Sequence, residues 1–358
     1  MKNRRIVTIL VLILICLFIN INVFAIPEEV ITVNGEAAVE ITAGGEYSGA
    51  IYDSATKTLT LDNYSGDYIV LDFPDGDTVN IVLKGTNNIL HAGGYAGGDI
   101  NGLGVVSSNE NELNINITGE TGSKLNISGY SVGIYVGDGN ISIENANIDF
   151  GDIESCLIYT MNGSEIEIID TNIVSESDYF YAISGDVAHI TFDNSSLISN
   201  DTSDNGVFCV FAGSSFDIND SNVKFYTVSN FISFSEDDDI AFTNCDIELG
   251  FALNFLSYYD FGKNVTFEDC NINIDDIVEF INIEGDLLVK DSKIDIKNAD
   301  TFISANKVDI INSDVKPRYD DGSNPQTFDI SVLYIIIGIL SVMGISIAKF
   351  DLDLLKNK

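Results

Sequence analysis

The chain has 358 residues, is 45% hydrophobic and 20% charged, contains no tryptophan, and carries a formal net charge of −38. An acidic excess of that size excludes nucleic acid as a partner, because phosphate binding rests on Lys and Arg. Six of the 17 basic residues lie at the two ends against two of the 55 acidic ones, so the part between them is more acidic still. Its plain reading is a solvated surface that keeps the chain soluble, and its sharper reading is cation binding.

Residues 1–25 hold Lys2, Arg4 and Arg5, then an apolar run over 6–19, then Val23-Phe24-Ala25. That order predicts a secretory signal peptide cut after Ala25, the alternative being a retained N-terminal anchor. Cys16 lies behind bulky Ile15, which does not fit a lipoprotein cleavage site. Residues 26–76 read as a β cap, with strand-like runs at Ala50-Ile51-Tyr52 and Thr58-Leu59-Thr60-Leu61. Such a cap protects the first open edge of a stacked fold. At its end, Asp75 and Asp77 flank Gly76, with Asp72 three positions back across a proline. Convergent carboxylates of this kind suit calcium, the one cofactor the sequence suggests; loop acids that are merely solvated are the alternative. Glu236 to Asp239 form a second, weaker cluster of the same sort.

Residues 77–315 carry the organising feature. Less regular coils pass through Val79-x-Ile81-x-Leu83, Leu113-x-Ile115-x-Ile117 and Leu125-x-Ile127. Eight segments then repeat apolar-x-apolar-x-(Asn/Asp)-small-x-apolar, from Ile141-x-Ile143-x-Asn145-Ala146-x-Ile148 to Val308-x-Ile310-x-Asn312-Ser313-x-Val315. The second apolar residue recurs after 25, 24, 26, 24, 25, 22 and 21 positions, the mark of a solenoid. Alternation gives one strand, a second follows the Asn/Asp turn, and a third apolar run such as Ile134-Tyr135-Val136 closes the coil. A leucine-rich repeat is similar in length, but these runs are too β-branched and lack its leucine spacing. The pattern predicts a parallel β-helix.

The Asn/Asp position has the parity of the inward residues, so it is expected at a turn, leaning toward the interior and paired as a ladder between coils. Asn and Asp also tolerate the left-handed backbone of such a turn. Their order alternates except at Asp269 and Asp291, where an outward orientation, protonation, or shielding by Lys290 or Lys293 is expected. Cys245 and Cys270 occupy equivalent positions in adjacent coils, within disulfide range at about 5 Å. That position otherwise holds Ala, Thr or Ser, so the pair reads as two more small residues of one row. Cys156 and Cys209 fall two coils apart, about 10 Å, too far to bond.

The rungs "ITFDNSSL", "IAFTNCDIEL" and "VTFEDCNINI" resemble those of the right-handed parallel β-helix, or pectin-lyase-like, superfamily. The earlier stretch "YDSATKTLTLDNY" with "VNIVLKGTNNI" and "LNINITGETGSKLNISG" is similar to carbohydrate-binding β-helix domains on bacterial surface proteins. The resemblance covers roughly residues 52–315 and implies fold more than activity. Lyases of that superfamily use a basic residue, usually Arg, beside a calcium cluster, and its hydrolases pair carboxylates with His- and Arg/Lys-containing motifs. Beyond the leader the only Arg is Arg318, and His91 and His189 are the only histidines, each read as a surface residue. Acid pairs such as Asp275-Asp276 are expected by chance in so acidic a chain.

Residues 316–329 form a short stalk ending in Asn324-Pro325-Gln326-Thr327-Phe328-Asp329. Residues 330–348 are uncharged and mostly apolar, long enough for one transmembrane helix, and 349–358 form a basic cytoplasmic tail. Asn324, Pro325, Gln326 and Thr327, placed ahead of such a helix, resemble the cell-wall sorting signal of Gram-positive surface proteins. The resemblance implies that a sortase cleaves after Thr327, although Phe328 stands where the commoner signals carry Gly; a plain linker to a membrane anchor is the alternative.

The expectation is an all-β right-handed parallel β-helix on the extracellular face, tethered to membrane or cell wall and not an enzyme. Its expected partners are an extracellular polysaccharide, or a host or neighbouring cell surface. Without Trp, stacking on sugar falls to Tyr, with Tyr258 and Tyr259 first and Tyr95 and Tyr130 behind them. The rivals are a structural spacer and a calcium-dependent polysaccharide lyase or glycoside hydrolase, which would need a cleft with Lys224, Lys263 or Lys290.

Overall fold

The computed structural model describes residues 28–33, 37–43, 49–73, 76–91, 103–107, 112–163, 165–176, 181–185, 188–200, 207–234, 239–257 and 263–317. The leader, the 324–327 motif, the 330–348 segment, the tail, Asp75, Tyr95, Tyr258 and Tyr259 lie outside these residues. Among the described residues no helix is long and apolar enough to cross a membrane; they are strands and turns.

The alternating segments stack into a twelve-stranded sheet that runs to Lys307–Ile311. Its strands are parallel from Thr58–Asp62 onward, and only Ala50–Asp53 at its end is antiparallel. This sheet is the first face of a parallel β-solenoid. Ile143 aligns with Ile117 in the coil before it and with Ile168 in the coil after, so each inward residue meets its equivalents. Ile117, Ile143 and Ile168 are buried, as period-2 alternation around a closed core requires, and only at the last strand does the equivalent Ile310 become exposed.

Eighteen further strands form the other two faces. In the earlier coils these faces are separate strands, as Asn147–Phe150 and Ile153–Thr160. From Asn222–Phe234 the two merge into single strands of 12 or 13 residues, ending with Lys293–Ser304. The merging is not a matter of length, since the first two merged coils still repeat after 24 and 25 residues; the chain there stays extended through the corner. At the N-terminal end, Glu28–Val33 pairs antiparallel with Ala37–Ala43, which pairs antiparallel with Ser65–Asp72.

The interior of the later coils is a column of phenylalanines. Ring centroids lie 5.7 Å apart for Phe211–Phe231, 4.7 Å for Phe231–Phe255 and 5.1 Å for Phe255–Phe280. A second line, Phe242–Phe267 at 5.1 Å, packs against the first through Phe255.

The turn after the first strand has the expected backbone but not the expected side-chain direction. All eight residues, Asn145, Asp170, Asn194, Asp220, Asn244, Asp269, Asp291 and Asn312, are left-handed, with φ between 46° and 56°. Their side chains are exposed rather than turned toward the interior. A left-handed residue breaks the pleat, so parity counted from the strand fails there, and the small residue that follows points inward instead. The expected amide-to-carboxylate contacts form on this outer corner: Asn194 Nδ2 donates to Asp170 Oδ1, and Asn244 Nδ2 to Asp220 Oδ1 at 2.5 Å. Asp269 and Asp291 both face outward, and Lys290 Nζ lies 4.0 Å from Asp291 Oδ2.

The inward row is a hydroxyl ladder. The Thr171 N–H donates to Ser195 Oγ at 3.0 Å, and the Ser195 N–H to Ser221 Oγ at 3.2 Å. Each hydroxyl then donates within its own coil, Ser195 to the Asp193 carbonyl at 2.7 Å and Ser221 to the Asn219 carbonyl at 2.6 Å. The donors orphaned by the left-handed turn are thereby satisfied inside the protein. Because backbone conformation, not side-chain contact, selects the exposed residue, Asn244→Gly is expected to change stability by only a few tenths of a kcal/mol. Asn244→Val should cost about 1–2 kcal/mol, the penalty of a β-branched side chain in the left-handed region that Asn tolerates. Urea denaturation of the two variants checks this.

Candidate functional site

The third face differs in chemistry from the other two. From Leu103–Ser107 through residues 252–257 its strands contain one charged residue, Glu154, in a chain of net charge −38. The first face carries Glu165, Glu167 and Asp217, and the second carries Lys224, Asp246 and Glu248. In the third-face strands Ile134 and Val136 are fully buried, so Tyr135 between them points outward, and Tyr159 does the same between Ile158 and Thr160. Register places Tyr135 beside Tyr159, Tyr159 beside Ser184, Ser184 beside Ala212, and Ala212 beside Ser233.

Two aromatic pairs result. The Tyr135 and Tyr159 rings are half-buried, 5.8 Å apart and inclined at 36°. Tyr181 and Phe208, in the next two coils, meet edge to face at 5.8 Å. Beyond Tyr159 the row continues with small residues only, which leaves a shallow strip bordered by rings. Asn162 Nδ2 donates to Asp138 Oδ1 at 2.5 Å at one margin. Burial, then Asp138, pushes the Tyr135 phenol above its ordinary value, so it stays a neutral donor. Glu154 at the other margin is raised by burial and then by Asp152. Such a surface offers ring faces and hydroxyls without charge, which is the chemistry of stacking and neutral hydrogen bonding.

A second constellation lies on the first face. His189 Nδ1 is 2.7 Å from Ser215 Oγ, and Nε2 is 3.1 Å from Asp217 Oδ2. Nucleophile, base and carboxylate are present, but acyl transfer also needs donors aimed at a developing oxyanion. Here the strand pairs with a neighbour on each side, so its N–H groups lie in the plane of the sheet. The three residues form a polar ladder across two coils. This reading adds partners to the surface histidine that the sequence suggested.

The residues singled out from sequence fare as follows. Tyr130 is buried at 1% exposure and cannot stack on a ligand, a correction explained by its place at the start of an inward-turning strand. Tyr226, not anticipated, is 51% exposed and stands beside Gly250, whose added Cβ would meet the Tyr226 carbonyl at 2.5 Å. Asp77 Oδ1 is paired with Lys57 Nζ at 2.5 Å, the Asp72 side chain is outside the described set, and no group of metal-ligating side chains occurs among the described residues. Asp239 accepts from the Asn264 N–H at 2.9 Å. Asp275 pairs with Lys297, and Asp276 accepts from Asn298 Nδ2 at 2.7 Å. Lys224 pairs with Glu248 at 2.8 Å, and the hydrogen bond to Glu268 holds Lys290 above its ordinary pKa, which disfavours the neutral amine there.

What sequence reasoning missed was the uncharged face. The signal was present in the third apolar runs, but reading it needs the register that puts Tyr135, Tyr159 and Ser184 side by side. Comparison with protein-family models, with curated proteins and with solved structures finds no match for this chain.

Proposed function

We propose that this chain is a cell-surface-anchored, non-catalytic right-handed β-helix that binds polysaccharide along its third face. The observation that carries the reading is the axial Tyr135–Tyr159 pair opening onto a serine and alanine strip on an otherwise acidic protein. Coils repeat about every 4.8 Å, comparable to the length of one pyranose ring, so a glycan lying along the axis meets equivalent positions in successive coils. Ring faces would take the C–H face of a sugar while the half-buried Ser233 offers a hydroxyl. A neutral glycan suits a strip without cations. Anchoring rests on the 330–348 segment and on sortase action at Asn324, Pro325, Gln326 and Thr327, and it presents the face to wall or neighbouring-cell polysaccharide.

A glycan array probed with the full chain in detergent, with and without calcium and with product release read from the same wells, tests the reading. Binding without product is expected. Tyr159→Ala should weaken it about tenfold, the equivalent of about 1.4 kcal/mol for one lost stacking contact. Tyr226→Ala, on a different corner, should leave it unchanged. New reducing ends or unsaturated sugars would overturn the non-catalytic assignment, and binding unaffected by Tyr159→Ala would remove the third face from it.

A further inference from the structure

The hydroxyl ladder is interrupted at one place. Between Ser221 and Ser292 the inward position is held by Cys245 and Cys270 in consecutive coils. Thr243 is aligned with Glu268 and Asp246 with Asn271, so the two cysteines are in-register neighbours on adjacent parallel strands. Neighbouring strands lie about 4.8 Å apart, inside the Cα range a disulfide accepts. Both thiols are buried, and each also donates to backbone carbonyls at 3.2–3.3 Å. A thiol is a weaker donor and acceptor than a hydroxyl, so ladder chemistry alone favours serine at both positions. What two adjacent cysteines add is the capacity to bond to each other.

We propose that Cys245 and Cys270 are an oxidation site that closes to one axial disulfide, stapling two adjacent coils of the solenoid. The oxidant is a small disulfide acting by thiol–disulfide exchange. One cysteine thiolate attacks it, forming a mixed disulfide and releasing one thiol. The second cysteine thiolate then attacks the protein-bound sulfur, forming the Cys245–Cys270 bond and releasing the other thiol. Two electrons leave the cysteine pair and reduce the oxidant to two thiols, which carry the two protons. The two thiols touch, so whichever ionises first is stabilised by the S–H of the other, while burial opposes ionisation at both.

Cys156 and Cys209 are internal controls. They are buried as well, but Tyr181 occupies the coil between them in register, which puts them about 10 Å apart. The full-length protein, incubated with 2-hydroxyethyl disulfide near its unfolding midpoint and quenched in acid, is alkylated after denaturation and mapped by peptide mass spectrometry. A Cys245–Cys270 linked peptide is expected, with Cys156 and Cys209 alkylated and the urea midpoint shifted upward relative to the reduced protein. Cys270→Ser restores the residue usual in this row, so it should fold, and it should abolish both the link and the shift. Full alkylation of Cys245 and Cys270, stable mixed disulfides without an internal bond, or a bond to Cys156 or Cys209 would each overturn the proposal.

Discussion

Replacing Phe255 by alanine is expected to destabilise the solenoid by about 3–5 kcal/mol, the cost of deleting a fully buried aromatic ring. Phe255 is 0% exposed and sits where the two phenylalanine lines meet, 4.7 Å from Phe231, 5.1 Å from Phe280, 5.8 Å from Phe242 and 5.9 Å from Phe267. Parallel strands on three sides hold the surrounding backbone, so the cavity cannot collapse by moving one element, which puts the cost at the upper part of that range. Phe255→Leu keeps most of the volume and should cost clearly less. Because each coil contacts only its neighbours, the lesion also weakens coupling between the coils on either side. Urea denaturation should therefore show a lower midpoint and, where the stack parts at the lesion, a broader transition with a smaller m-value. A loss below about 1 kcal/mol would mean that the ring column contributes little and that the aliphatic first face holds the stack alone.

Much of this architecture is legible in the residues, and the reason is repetition. The Ile143 and Ile168 series shows strand alternation and coil length together, so fold class follows without knowledge of any contact. Where legibility ends is equally physical. Parity correctly orients residues within a strand, but it was carried one step too far at Asn145 and its equivalents, because a left-handed residue resets the alternation. The merging of second and third strands after Asn222 was hidden because the apolar pattern is the same with or without a corner. The candidate site was the least legible part. Tyr135 and Tyr159 are separated by 24 positions, and nothing local distinguishes them from other tyrosines until the register places them side by side. Tyr258 and Tyr259, neighbours in the sequence itself, stand out instead, because adjacency along the chain is visible there and adjacency across coils is not.

The same turn supplies the second large effect, and it separates backbone from side chain at neighbouring positions. Ser195→Val is expected to cost about 1–3 kcal/mol, because it leaves a buried backbone N–H without its partner. The Thr171 N–H, which donates to Ser195 Oγ at 3.0 Å, loses its partner in a buried corner, while the Asp193 carbonyl, which accepts from Ser195 at 2.7 Å, keeps the Asp170 N–H at 3.1 Å. Ser195→Thr is the informative comparison, since Thr and Val differ by one hydroxyl for one methyl. Thr171 already fills the equivalent place one coil away, so the branched volume fits the row. Thr should therefore stay within about 1 kcal/mol of the parent, and the Thr–Val difference isolates the hydroxyl. At the preceding residue the order reverses. Asn194 is exposed with φ 46°, so glycine is tolerated there, while a β-branched residue is strained whatever hydrogen bonds it makes. Equal losses for Ser195→Val and Ser195→Thr would show that volume, not the ladder, governs this corner. In that case the cysteines at the same position in later coils would be there for size, and only their oxidation chemistry would distinguish them from serine.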